Sequence, residues 1–279
     1  MNTMKTWLLM GFLTAILVAA GNLFGGPSGA LIALMIALAM NFAGYWFSDK
    51  IALSMSGAQP VPDGALPELE RMVGRLAERA GIPTPRLYVI PSPQPNAFAT
   101  GRNPQNSAVA VTEGLLQMMD SEELEGVIAH ELAHITNRDI LIGSVAAAFA
   151  GAISMLANMA QWAAIFGTSS DDEEGGGGLL GSLALMIFGP IAATLVQLAI
   201  SRSREYQADA TAADLVGSPY GLIRALRKLE LGTQAIPVAV SPATAHMYIA
   251  QPFAGGGIMS LFSTHPPMAE RIRRLETLR

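Results

Sequence analysis

Residues 120–139 read DSEELEGVIAHELAHITNRD. Leu124, Ile128, Leu132 and Ile135 recur at the three- and four-residue spacing of a single helix face. Asp120, with Glu123 three positions later, makes the pattern of a capping box. The spacing predicts a helix that starts here and runs through Arg138. Within it His130 and His134 stand one turn apart on one face, so both imidazoles can reach a single ion. Glu131 lies beside them, where its carboxylate can take a proton from an attacking water. The bland alternative is a surface helix with two ordinary histidines, yet the chain has only 4 histidines and two of them fall in this pattern.

A catalytic zinc usually takes three protein ligands and keeps a fourth position for water. The chain has no cysteine, so the third ligand must be another histidine or a carboxylate. Glu205 is the candidate, in the run Arg204-Glu205-Tyr206-Gln207-Ala208-Asp209. Asp209, one helical turn on, can accept a hydrogen bond from a ligand histidine. Spacing alone leaves a rival reading equally open, an exposed helix laced by charges four residues apart. His246 reads as a structural histidine and is left out of the site.

Around this stretch the chain is unusually apolar. Hydrophobic residues make up 51% and charged residues 14%, against about 25% charged in an ordinary soluble protein. The apolar residues are concentrated. No charge lies between Lys5 and Asp49, and there Trp7–Phe24 and Ala30–Phe47 form two runs separated by a Gly-Gly-Pro-Ser-Gly turn. Residues 140–166 and 179–200 are a second uncharged pair. Each run approaches the ~20 residues that cross a bilayer core. Four membrane spans are therefore expected, the first retained as an anchor and not cleaved as a signal peptide.

All 17 Lys and Arg fall at Lys5, within 48–138, or within 201–279, and none in the short connections 25–29 and 167–178. By the positive-inside rule the basic segments, and both termini, face the cytoplasm. The connection 167–178 carries Asp171-Asp172-Glu173-Glu174 and four glycines, read as a solvated loop. A net charge of −5 argues against nucleic acid as a partner. Four regions follow: a transmembrane hairpin at 1–47, a first catalytic segment at 48–138, a second hairpin at 139–200 and a second catalytic segment at 201–279. The fold class is α+β: a mainly helical integral membrane protein whose cytoplasmic zincin-like domain carries a small sheet. Within 48–138, Pro67–Ala80 reads as an amphipathic helix closed by Gly81, and Arg86–Ile90, Asn96–Thr100 and Ser107–Thr112 read as strands.

Taken together, His130-Glu131-Leu132-Ala133-His134 followed by Glu205 and Asp209 resembles the HtpX family of bacterial membrane heat-shock proteases, relatives of the CAAX prenyl endopeptidases. Asn96-Ala97-Phe98-Ala99-Thr100-Gly101, Thr264-His265-Pro266-Pro267 with Arg271 beyond, and the paired apolar runs match too, so the resemblance covers essentially the whole chain. It implies one zinc per subunit held by His130, His134 and Glu205, and cleavage of misfolded or damaged membrane proteins at the cytoplasmic face of the inner membrane. It also implies that Asn96, Ala97, Phe98 and Ala99 are an edge strand binding extended substrate through its backbone. His265 and Arg271 resemble residues at the family's active site; His265 is expected to stabilise the oxyanion and Arg271 to pair with Asp209. Two rivals stand beside this reading, prenyl-protein processing and a non-enzymatic membrane scaffold with a structural metal. An intact Glu131 argues against the scaffold, which needs no general base.

Overall fold

The computed structural model describes residues 2–146, 202–235, 249 and 266–278. The chain opens with α1 (Asn2–Trp46), a helical hairpin that reverses at Gly26, whose φ of 58° and ψ of −152° suit a residue without a Cβ. Gly21 and Gly29 let the two arms touch backbone to backbone, since a Cβ on Gly29 would land on the Gly21 carbonyl. Asn41 Nδ2 donates to Thr14 Oγ1 at 2.8 Å, and the rings of Trp7 and Tyr45 stack 5.7 Å apart, which ties the arms along their length. The returning arm, Gly25–Trp46, is 22 residues of apolar helix, enough to cross a bilayer. A shorter apolar piece, Thr6–Ala19, precedes it. The expected third span is described only over 140–146, which is helical and buries Leu141, Ile142, Val145 and Ala146 against Leu9, Met10 and Leu13 of α1. The rest of the second hairpin, 147–200, lies outside the described residues, so four spans are not established.

A short helix, α2 (Ser48–Met55), leads into the polar part. There α3 (Pro67–Ala80) begins on Pro67 and ends on left-handed Gly81, as its sequence predicts. Four strands form a mixed sheet in the order β1-β2-β4-β3: β1 (Gln59–Pro60), β2 (Arg86–Ile90), β3 (Ala97–Gly101) and β4 (Ser107–Thr112). β2 and β4 run parallel; β3 lies antiparallel to β4 at the sheet edge. β1 was not expected from sequence, since two residues carry no periodicity. α4 (Glu113–Met118) then leads to α5 (Ser121–Thr136).

α5 is the centre of the fold. Its expected capping box is present, with Asp120 and Glu123 exchanging hydrogen bonds at 2.9 Å in both directions. Val127, Ile128, Leu132 and Ile135 are fully buried in one core with α3, the sheet and the last helices, α6 (Arg202–Val216), α7 (Tyr220–Ala235) and α8 (Met268–Glu276). Gly126 and Gly221 allow α5 and α7 to cross backbone on backbone: a Cβ on either would strike the other helix's main chain. α5 does not run through Arg138. It stops at Thr136, Arg138 takes a φ of 56°, and the chain turns helical again at residue 140. The break has a structural return, since it carries Asp139 back toward His134.

Candidate metal centre

His130 and His134 project from the middle of α5, with Glu205 and Asp209 a turn apart on α6 and Arg271 on α8. The two Nε2 atoms lie 3.2 Å apart, and Glu205 sets Oε2 3.7 Å from that of His130 and Oε1 3.7 Å from that of His134. The three donor groups all fall within 4.8 Å of one another. Tetrahedral zinc with bonds of ~2.0–2.1 Å sets its ligand atoms about 3.3–3.4 Å apart, so this spacing fits a single ion. The surrounding charge fits as well. Glu131, Asp139, Glu205 and Asp209 carry four carboxylates and Arg204 and Arg271 two guanidiniums, a balance of −2 that a divalent cation would neutralise.

Each imidazole is held from behind. His130 Nδ1 lies 3.0 Å from Asp209 Oδ1, and His134 Nδ1 lies 3.1 Å from both oxygens of Asp139. A carboxylate on Nδ1 fixes the tautomer that leaves Nε2 free to ligate. Burial and the Arg271 cation push the His130 pKa down, but Asp209 and Glu205 outweigh them and hold it above its ordinary value. His134 is likewise opposed by burial, yet Asp139 raises it to about 10. Without metal both rings therefore tend to keep a proton that an ion would displace.

Arg271 is fully buried and anchors the second layer. Its Nε and Nη2 donate to the two oxygens of Asp209 at 2.9 and 2.6 Å, and Nη1 donates to the Ile249 carbonyl at 3.4 Å. Nη2 also stands 3.4 Å from both ring nitrogens of His130. Burial pushes the Asp209 carboxyl up, but the Arg271 guanidinium and His130 overcome it and hold the carboxyl well below the usual range. The expected pairing of Arg271 with Asp209 is thus present in the geometry.

Glu131 is buried, which raises its pKa against the opposing pull of His130 and His134. Its Oε2 accepts a 2.7 Å hydrogen bond from the backbone N–H of Ala99. The open side of β3 therefore faces the glutamate, and among the described residues no other strand pairs there. The side chains of the expected substrate segment point elsewhere. Asn96 is buried and its Oδ1 accepts from the Ile249 N–H at 3.0 Å; Ala97 and Phe98 belong to the cores. Ala99 is only partly buried, so β3 offers a substrate its open backbone edge and that one methyl group. His265 lies outside the described residues, so the structure neither brings it to the site nor removes it.

Sequence reasoning missed three participants. Asp139 sits in the turn Asn137-Arg138-Asp139; on an uninterrupted helix it would be five positions from His134 and face away from it. Ser144 ties the far end of β3 to the helical segment 140–146: its Oγ contacts Thr100 Oγ1 at 2.8 Å, accepts the Gly101 N–H at 3.2 Å and donates to the Ile140 carbonyl at 2.8 Å. Ile249 is gripped at its N–H by Asn96 and at its carbonyl by Arg271. The polar residue type at 144 and 96 was visible in sequence; the backbone partner was not.

Comparison with known proteins places the chain in a family. Residues 65–279 match peptidase family M48. The chain is 57% identical over 279 residues to a protease HtpX homolog of Pelotomaculum thermopropionicum, covering 100% of this chain and 99% of that one. It is 57% identical over 279 residues to one from Persephonella marina, covering 99% and 96%. A third, from Aquifex aeolicus, is 55% identical over 264 residues, covering 93% and 87%. Among solved structures, the crystal structure of S. mikatae Ste24p aligns with a TM-score of 0.50 and 21% identity, over 98% of this chain and 67% of that one, a likeness of fold.

Proposed function

The chain belongs to peptidase family M48 and is a membrane metalloendopeptidase; from that premise we propose that one zinc ion sits on His130, His134 and Glu205, with Glu131 as general base. The observation that carries this is the convergence of three donors beside a glutamate that is latched to an open strand edge. When bound, the ion supplies Lewis acidity to the water and the scissile carbonyl. The rest falls to the chain's own groups. Extended substrate lies along the open side of β3, where main-chain hydrogen bonds orient it without reading its side chains. Ala99 holds Glu131 in place by its N–H. Glu131 Oε1 or Oε2 takes the proton from water and returns it to the leaving nitrogen, a step worth about 10²–10⁴-fold. The raised pKa of Glu131 suits it to hold that proton between the two transfers. Asp139 and Asp209 orient the ligand rings, and Arg271 neutralises Asp209.

We place the site at the cytoplasmic face of a bacterial inner membrane, with four spans and both termini inside. The one-sided distribution of Lys and Arg supports this. His134 is six residues from the segment 140–146 that packs on α1, so substrates would be cut close to the bilayer surface. That position favours misfolded or damaged membrane proteins as substrates. The test is cleavage of casein and of an unfolded membrane protein by the purified chain, with and without chelator, beside Glu131→Gln. Zinc-restored cleavage that Glu131→Gln abolishes is expected; cleavage indifferent to chelator would overturn the assignment. For orientation, a cysteine at the exposed Ser121 should be inaccessible to an impermeant thiol reagent outside intact cells and should react once the cells are permeabilised.

A further inference from the structure

At the opposite side of the sheet from α3, the end of α1 meets α2, β2 and the loop after β3 around an open cavity of about 530 Å³. We propose that this cavity binds the headgroup of an anionic phospholipid. The inference rests on the membrane part of the reading above and is independent of the metal site.

The cavity lies where the membrane-length helix Gly25–Trp46 stops. Trp46 and Phe47, 45% and 44% exposed, stand at that end, the level at which aromatic residues mark the boundary between acyl chains and headgroups. Phe42, one turn earlier and 60% exposed, lines the same cavity from the hydrocarbon side. The far wall is polar, with Gln105 and Asn106. The lining thus joins apolar rings to polar and charged groups, which matches an amphipathic ligand and not a free anion.

The charge is also specific. Lys50, Arg86 and Arg102 line the cavity with a single carboxylate, Asp49. Arg86 Nη2 holds Asp49 Oδ2 at 2.6 Å, which leaves a surplus of two positive charges in a chain whose net charge is −5. The two surplus cations rest on aromatic faces. Arg102 is 4.6 Å from the Trp46 ring centroid, with Nη1 3.4 Å from the Trp46 carbonyl, and Lys50 Nζ is 5.7 Å from the Phe47 ring. A guanidinium has five donors and an ammonium three, so these contacts leave both able to bind phosphate oxygens. Phosphatidylglycerol would supply the missing negative charge; zwitterionic phosphatidylcholine would not. Arg102 directly follows β3, so an occupied cavity would brace the strand that carries Ala99.

The full chain in dodecyl maltoside micelles is titrated with short-chain phosphatidylglycerol, phosphatidylcholine or inorganic phosphate, and binding is read by native mass spectrometry. Phosphatidylglycerol should bind in preference to phosphatidylcholine, and inorganic phosphate should not compete. Lys50→Gln, an exposed position that tolerates change, should weaken phosphatidylglycerol about fivefold, and Lys50→Gln with Arg102→Gln roughly 30-fold. Glu131→Gln should bind it as the parent does, which separates this site from the peptidase assignment. Equal affinity for the two lipids, unchanged affinity in Lys50→Gln, or competition by phosphate as strong as by the lipid would each overturn the proposal.

Discussion

Asp139 and Asp209 each hold a ligand histidine from behind, yet the structure predicts that their removal fails in different ways. Asp139 is buried and its two oxygens sit 3.1 Å from His134 Nδ1, while Arg204 is 4.0 Å away and partly solvated. In Asp139→Ala the His134 ring, 18% exposed, can turn to water for its Nδ1 proton. The loss should fall on metal affinity, about 10–100-fold, or roughly 1.4–2.7 kcal/mol, as for other carboxylates behind a ligand histidine. Asp209→Ala also strips Arg271 of its bidentate partner. That guanidinium is fully buried, and its nearest other carboxylate, Glu205, is 3.9 Å away. An uncompensated buried charge costs about 3–5 kcal/mol, so this variant should be destabilised even in excess chelator. Competition against a fluorescent zinc chelator gives the affinity, and thermal melting in chelator gives the stability of the metal-free chain. Wild-type zinc affinity in Asp139→Ala, or equal stability losses in the two variants, would refute the reasoning.

Glu131→Gln should lower cleavage at least 10²-fold with zinc retained, because a glutamine oxygen still accepts the Ala99 N–H and the ligands are untouched; zinc content and rate are measured on the same sample. Arg271→Ala should lose about 3–5 kcal/mol of stability by orphaning Asp209, and a stable, zinc-loaded but inactive variant would instead make Arg271 catalytic. The metal-free chain should become less stable as pH rises toward about 10. His134 has a raised folded pKa, so its contribution is complete below ~6.5 and is lost through the folded value, while apparent zinc affinity climbs over the same range; melts and titrations at stepped pH with chelator test both signs. Gly126→Ala should cost about 1–3 kcal/mol by pushing α5 off the Leu222 backbone, visible as a lower melting temperature with unaltered zinc stoichiometry per folded chain.

What the sequence disclosed, and what it withheld, divides along the line between local and long-range interactions. The capping box at Asp120 and Glu123, α3 and the strands β2 and β4 fall where periodicity and turn residues put them, because neighbours within a few positions decide them. The HExxH spacing likewise needed only helix geometry to bring two imidazoles together. Glu205 could be nominated, but 71 positions separate it from His134, and spacing alone left a surface helix equally open. Arg138 breaks the helix with a positive φ that no residue type announced, and the Asp139 contact depends on that break. Asn96 shows the same limit from the other side. Its type was noticed in an edge-strand motif, but its side chain serves the Ile249 backbone, a partner 153 positions away.

The three residues 137–139 are all that separate α5, with its two candidate ligand histidines, from the helical segment that begins at 140. Asp139 binds the ring of His134 and Ser144 binds the end of β3, one turn into that second helix. The segment 140–146 is itself packed on the α1 hairpin. The turn 137–139 therefore couples the seating of segment 140–146 on the α1 hairpin to His134 and to the edge strand β3 at once. The same linkage means that joining α5 directly to α6, with residues 139–201 excised, would remove the brace on His134 and the pin on Gly101 along with the intervening chain.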